Sequence, residues 1–190
     1  GGMIRDLAFS PDGGLIAAAA AVDLGEPASQ PDPSLGGEVR LWEAAGVDRT
    51  LGRPLWHPQP VRSLAFSPDS GVLMTGCRDS TVRFFLTMTG QQLGREQSGE
   101  GNVTGVAFDR GGTLAISSSA GGNHHAEGRL WDLSRSAALP RSSFHPGGVS
   151  GLALAPDGRD LLIAAPDGTV RLWETDLGRP IGPPLKHDSP

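Results

Sequence analysis

Tyrosine is absent from this 190-residue chain, cysteine occurs once, and lysine is confined to Lys186. A lone thiol, Cys77, excludes an intrachain disulfide framework and suits a reducing compartment, and it reads as a small buried apolar side chain on a strand. Cationic charge is scarce: 16 Lys and Arg against 21 Asp and Glu leave a formal charge of -5. That balance speaks against an electrostatic nucleic-acid surface, because phosphate binding leans on clustered Lys and Arg. Long apolar runs are missing too. The longest, Leu15 to Val22 (LIAAAAAV), is too short to span a bilayer and has no basic leader before it, so it reads as a strand and no membrane contact is expected. Gly1 and Gly2 ahead of Met3 look like a cloning remnant.

Catalytic signatures are equally lacking. No HExxH, GxSxG, P-loop or CxxC occurs, so neither a catalytic residue, a metal nor a cofactor is expected. Gly99-x-Gly101 begins a dinucleotide-like pattern, but Thr104 breaks it and a strand follows, which makes these turn glycines. Asn102-Val103-Thr104 is formally a glycosylation acceptor at the start of a buried strand, with no secretory context.

What the chain does contain is one motif four times. Leu7–Gly13 (LAFSPDG), Leu64–Ser70 (LAFSPDS), Val106–Gly112 (VAFDRGG) and Leu152–Gly158 (LALAPDG) are near copies, each followed by VRLW, VRFF, GRLW or VRLW. The strand starts Ile4, Val61, Val103 and Val149 lie 57, 42 and 46 residues apart, and removing 14 extra residues from the first copy and 4 from the third returns 43 and 42. A four-stranded propeller blade runs about 40 to 45 residues. Gly 28 and Pro 16, clustered as SPDG, APDG and PDGT between β-type runs, fit short strands joined by tight turns. One domain is expected over residues 1–190: blades at about 3–56 with an insertion at 23–37, 57–98, 99–144 with an insertion at 121–127, and 145–190.

The second copy shows the unit without interruption. Val61, Leu64 and Phe66 open the innermost strand, Ser67-Pro68-Asp69-Ser70-Gly71 turns, Val72 to Cys77 form a second strand, Arg78-Asp79-Ser80 turns, Thr81 to Phe85 form a third, and Leu93 onward a fourth. These residues resemble the WD-repeat β-propeller family, and the resemblance covers nearly the whole chain. It implies a buried tetrad of His, Ser/Thr, Asp and Trp in each blade. On that likeness His57, Thr75 and Asp79 take three places, with Phe85 where Trp is usual. His145, Asp167 and Trp173 match in the fourth blade, with Ile163 for the hydroxyl residue. Ser117 and Trp131-Asp132 match in the third, with Gly99 for His; the first keeps Trp42 followed by Glu43. All are expected to be structural.

Four blades leave two bare outer faces, which soluble repeat arrays cover. Propellers have 4 to 8 blades, and closure with four opens the wedge to roughly 90° per blade against about 45° for eight. The closing LGRPIGPPLKHDSP parallels LGRPLWHPQP ahead of the second blade, so His187 points to a further blade. The expectation is therefore an all-β propeller of four four-stranded antiparallel blades per chain, completed to an eight-bladed ring by a second chain with the Ile4 side of one against the His187 side of the other; the rival readings are an arc cut from a longer chain and a strained four-blade monomer.

Repeats without chemistry point to a noncatalytic scaffold for an unknown protein or peptide. Both insertions fall between the second and third strands, on one rim. The first is Pro-rich and acidic, with Asp23 and Glu26; the second holds His124 and His125. Trp56 and Phe144 precede the rim histidines and are candidate hot spots. The alternative is a site in the central channel, where Arg5, Asp6, Arg62 and Ser63 are the residues to watch. Arg, Ala, Gly and Pro richness looks like a bacterial, cytoplasmic member of the family.

Overall fold

The structure is a computed structural model and describes residues 2–23, 35–46, 49–98, 101–120, 126–133, 137–145, 151–155, 159–165, 167–174 and 179–186. Among the described residues sixteen strands form four sheets of four. The first holds β1 (Met3–Phe9), β2 (Leu15–Asp23), β3 (Leu35–Glu43) and β4 (Leu55–His57). The second holds β5 (Val61–Phe66), β6 (Val72–Cys77), β7 (Thr81–Leu86) and β8 (Gln97–Ser98). The third holds β9 (Asn102–Phe108), β10 (Leu114–Ala120), β11 (Ala126–Asp132) and β12 (Ala137–His145), and the fourth β13 (Gly151–Leu154), β14 (Asp160–Ala164), β15 (Thr169–Glu174) and β16 (Arg179–Lys186). Every strand pairs antiparallel with its neighbour in sequence, so each sheet is a meander.

The repeated motif makes its own turn. In Ser10-Pro11-Asp12-Gly13 the Ser10 hydroxyl accepts from Leu15 N at 2.8 Å and donates to Asp12 Oδ1 at 2.6 Å, while Asp12 Oδ1 also accepts from Gly14 N at 2.9 Å. Ser67 and Asp69 repeat these bonds, and in the third copy Asp109 takes the part of the serine, accepting from Leu114 N at 2.8 Å. The fourth turn residue is left-handed: Gly13 at φ 73°, Ser70 at 60°, Gly112 at 68°. Glycine takes that conformation without strain, and Ser70 takes it inside a turn already closed by hydrogen bonds.

Among the described residues three of the innermost strands carry a bulge at one place, leaving Arg5, Arg62 and Thr104 out of register with the second strand. The fourth strand of the second sheet begins later than Leu93. It comprises Gln97–Ser98, preceded by a bridge from Phe85 to Gln92, because Gly90 and Gly94 both turn left-handed and interrupt the ladder. His57 and His145 end the first and third sheets rather than opening the next ones.

Each sheet packs on its successor. Ala17, Ala19, Val39, Leu41 and Leu55 of the first meet Val61, Leu64, Phe66, Leu73 and Phe85 of the second. Met74, Val82 and Phe84 of the second meet Val103, Ala115 and Trp131 of the third, and Ile116 meets Leu161, Ile163 and Trp173 of the fourth. Among the described residues no such cluster joins the fourth sheet to the first.

Candidate functional site

Directly paired residues on adjacent strands share a face, so register decides which polar groups meet. Thr75 lies opposite Arg83 and Leu73 opposite Phe85, placing all four on the face turned to the first sheet. β4 delivers His57 to that junction: its Nε2 lies 2.9 Å from Thr75 Oγ1 and its Nδ1 3.2 Å from Leu55 O. The carbonyl can only accept, so Nδ1 carries the proton and Nε2 accepts from the Thr75 hydroxyl. The Phe85 ring stands edge-on to the imidazole at 5.6 Å.

Asp79 is bonded elsewhere. Its Oδ2 pairs with Arg83 Nη2 at 3.0 Å, and its Oδ1 accepts from Thr81 N at 3.0 Å and from the Thr81 hydroxyl. The polar groups thus form two units, His57 with Thr75 and Asp79 with Arg83 and Thr81. Asp167 builds the same turn in the fourth sheet, accepting from Thr169 N at 2.9 Å and Thr169 Oγ1 at 2.6 Å.

Burial pushes the His57 imidazole down to about 4, the Arg83 guanidinium adds to the shift, and Asp79 only partly opposes it. The ring is therefore neutral at pH 7. Burial raises Asp79, but the bonds from Thr81 and Arg83 outweigh it and hold the carboxyl below its usual range. Cys77 is pushed up to about 12, chiefly by burial, and its Sγ donates to Gln59 O at 3.0 Å. Such a thiol is not a nucleophile at neutral pH.

The matching positions differ in the other sheets. Trp131 Nε1 donates to Ser117 Oγ at 3.0 Å. Trp173 Nε1 is buried without an acceptor, because Ile163 occupies the place that Ser117 fills in the third sheet. Arg171 Nε is likewise buried and unpartnered. Trp42 is half-buried and bridges Thr50. Of the other candidates, Glu26, His124, His125 and His187 lie outside the described residues; Asp23, Phe144 and His145 are placed on β2 and β12 by backbone alone.

The channel candidates separate into two kinds. Arg5 and Arg62 are exposed on the bulges. Asp6 and Ser63 tie sheets together: Asp6 Oδ2 accepts from Leu64 N at 2.7 Å, and Ser63 Oγ from Val106 N at 3.2 Å. Sequence reasoning missed Arg83, although a signal was present: Arg40, Arg83, Arg129 and Arg171 occupy one place in the four VRLW-type motifs. No group of His, Cys, Asp or Glu able to hold a metal occurs among the described residues. No helix among them is long and apolar enough to cross a membrane. Trp56, by contrast, is 58% exposed on β4, beside buried His57.

Residues 49–85 and 140–174 match the model of the WD domain, G-beta repeat. The chain is 32% identical over 149 residues to telomerase protein component 1 of Rattus norvegicus, covering 78% of this chain and 5% of that protein. It is 28% identical over 144 residues to a guanine nucleotide-binding protein subunit beta of Nicotiana plumbaginifolia, covering 71% and 37%. Against cleavage stimulation factor subunit 50 of Arabidopsis thaliana it is 26% identical over 188 residues, covering 90% and 40%. The chain thus spans well under half the length of these relatives. Among solved structures it resembles Kuenenia stuttgartiensis hydrazine synthase, with TM-score 0.75 and 16% identity, over 96% of this chain and 49% of that one, a likeness of fold alone. Two of the four motif copies therefore lie in segments that match the WD-repeat family, within an all-β arrangement of four antiparallel sheets like that of a propeller neighbour.

Proposed function

We propose that this chain is a noncatalytic interaction scaffold, a run of propeller blades that binds a protein or peptide through the rim bearing the inter-sheet loops. Trp56 carries the reading. A large aromatic on the last strand of a sheet is exposed while the neighbours that fix its backbone, Leu55 and His57, are buried. Aromatics held rigidly at a surface are the residues on which interfaces concentrate their binding energy. The similarity to the beta subunit, the cleavage factor subunit and the telomerase component supports an interaction role over an enzymatic one. So does the use of Asp6 and Ser63 as ties between sheets, which removes two of the four channel candidates from any chemistry. The scaffold acts in the cytoplasm, with its array completed by a second copy.

The test is selection of a displayed random peptide library on the immobilised chain. Peptides enriched on the wild type should bind Trp56→Ala at least tenfold more weakly, with the urea midpoint of the variant unchanged. Absence of any Trp56-dependent peptide overturns the reading, as does a loss of stability from Trp56→Ala comparable to a core truncation.

A further inference from the structure

The bulges on the innermost strands fall at one level and put different chemistry there. In a bulge the extra residue leaves the ladder and its side chain is re-aimed, a device that recurs beside functional sites. The extra residues are Arg5 between Ile4 and Asp6, Arg62 between Val61 and Ser63, and Thr104 between Val103 and Gly105. Arg5 and Arg62 are exposed on β1 and β5, whose sheets are tied directly by Asp6 on Leu64 N. Arg78 adds a third exposed arginine at the same end of the second sheet, because Cys77 pairs with Val61 and Arg78 N donates to Pro60 O at 3.0 Å. Arg62 and Arg78 stand on a sheet with described sheets packed on both sides, so their exposure does not depend on what adjoins the first and fourth. The cationic stretch stops at the third sheet, where Thr104 Oγ1 lies 2.9 Å from Ser118 Oγ.

These arginines have no partners of their own. The ion pairs among the described residues engage Arg40, Arg83 and Arg179, and none engages Arg5, Arg62 or Arg78. The carboxylates next to them in sequence are bonded elsewhere: Asp6 accepts from Leu7 N at 2.9 Å and Leu64 N at 2.7 Å, and Asp79 from Thr81 N and Arg83 Nη2, each at 3.0 Å. The backbone beneath is fixed as well. Gln59 O accepts from Cys77 Sγ at 3.0 Å, and a Cβ at Gly37 would come within 2.4 Å of the same oxygen, so the segment leading into β5 is packed tightly between the first two sheets. Groups carried on a rigid backbone lose little freedom on binding. At the opposite end of the same strands the turns of the first three sheets carry carboxylates, Asp12, Asp69 and Asp109, bonded to turn N–H groups. The inner strands thus have a basic end and an acidic end.

We infer that the basic end of the inner strands docks an acidic segment of a protein partner, with Arg5, Arg62 and Arg78 taking separate carboxylates. This rests on reading the chain as an interaction scaffold, and it names the charge of what the scaffold binds. Arg5 and Arg62 occupy matching positions one sheet apart, a row rather than a ring around one point. A row suits carboxylates at every second residue of an extended segment, about 7 Å apart on one face, better than a single phosphoryl group, which arginines grip by forking onto one centre. A long polyanion such as nucleic acid fits less well still. It would run from the basic end towards Asp12 and Asp69 on a chain of formal charge -5, whereas a short acidic segment stays at the basic end.

Fluorescence anisotropy of a labelled peptide of alternating Asp and Ser, titrated with the 190-residue chain, decides it. Saturable binding is expected, about tenfold or more tighter than for a peptide of alternating Asn and Ser with the same label, and weaker as salt rises, because charges at a surface are screened beyond about 10 Å at 0.1 M and about 3 Å at 1 M. Arg62→Gln and Arg78→Gln, both at exposed positions, should each weaken binding about threefold and together about tenfold, with an unchanged urea midpoint. Arg62→Lys keeps the charge and should bind more tightly than Arg62→Gln. Equal affinity for the two peptides, no saturation at millimolar chain, a double glutamine variant that binds like wild type, or displacement of the peptide by an equimolar amount of inorganic phosphate each overturns the proposal. Trp56→Ala should leave this binding unchanged. Neutral peptides selected through Trp56 would uphold the scaffold while the acidic peptide failed, so the two readings fail separately.

Discussion

The neutral, buried imidazole of His57 makes stability depend on pH within a defined window. In the unfolded chain a histidine titrates near 6.5, and in the fold His57 is held down to about 4. A depressed histidine leaves stability complete above the unfolded value and loses it as pH falls towards the folded one, because only the unfolded chain gains the proton readily. At about 1.4 kcal/mol for each tenfold change in proton affinity, roughly 2 kcal/mol is lost by pH 5 and about 3 kcal/mol by pH 4. Protonation at Nε2 would also turn the acceptor of the Thr75 hydroxyl into a second donor, breaking that bond.

Urea denaturation at fixed protein concentration, followed from pH 7 to pH 5, measures this before the carboxylates titrate. With a slope of about 2 kcal/mol per molar urea, the wild-type midpoint should fall by about 1 M. His57→Gln keeps hydrogen-bonding capacity without the titration; it should be less stable at pH 7 and nearly flat to pH 5. The comparison isolates His57 from the four other histidines. Parallel decline of wild type and variant across that window would refute the assignment.

Two further substitutions test the packing. Ile163→Thr gives the orphaned Trp173 Nε1 an acceptor and should be at least as stable as Ile163→Val, which costs about 1 kcal/mol; a threonine variant clearly weaker than the valine one in urea melts would show that the hydroxyl does not reach the indole. Gly76→Ala drives a methyl to within 2.5 Å of Val103 Cγ1 and 3.0 Å of Val106 Cγ1, and should cost about 1 to 3 kcal/mol by the same assay.

The repeat made much of the fold legible. LAFSPDG encodes a strand and a self-bonded turn locally, through Ser10 and Asp12 or Ser67 and Asp69, so four copies place four sheets without knowledge of long-range contacts. What the sequence withheld is what depends on register. Arg83 comes opposite Thr75 only once β6 and β7 are aligned, and that alignment gives Asp79 a guanidinium as its partner. The bulges that displace Arg5 and Arg62 leave no composition signal, so Asp6 and Ser63 looked like channel residues when they are ties between sheets. The late fourth strand of the second sheet follows from two left-handed glycines whose φ no pattern announces.

Among the described residues the junctions are unequal in polar content and alike in apolar content, which separates what sets register from what holds the array together. Between the first and second sheets stand Asp6 on Leu64 N, Ser70 Oγ on Asp12 N at 3.3 Å, and His57 on Thr75. Between the second and third stand Ser63 on Val106 N and Arg129 Nη1 on Ser98 O. Between the third and fourth, the capping position is Gly105 and the hydroxyl position is Ile163, neither able to bond through its side chain, yet Ile116, Leu161, Ile163 and Trp173 still pack as a buried cluster. A hydrogen bond returns about 1 kcal/mol net, whereas each large apolar side chain withdrawn from water returns about 1.5 to 3 kcal/mol. Adhesion between sheets is thus an apolar matter that survives loss of the ties.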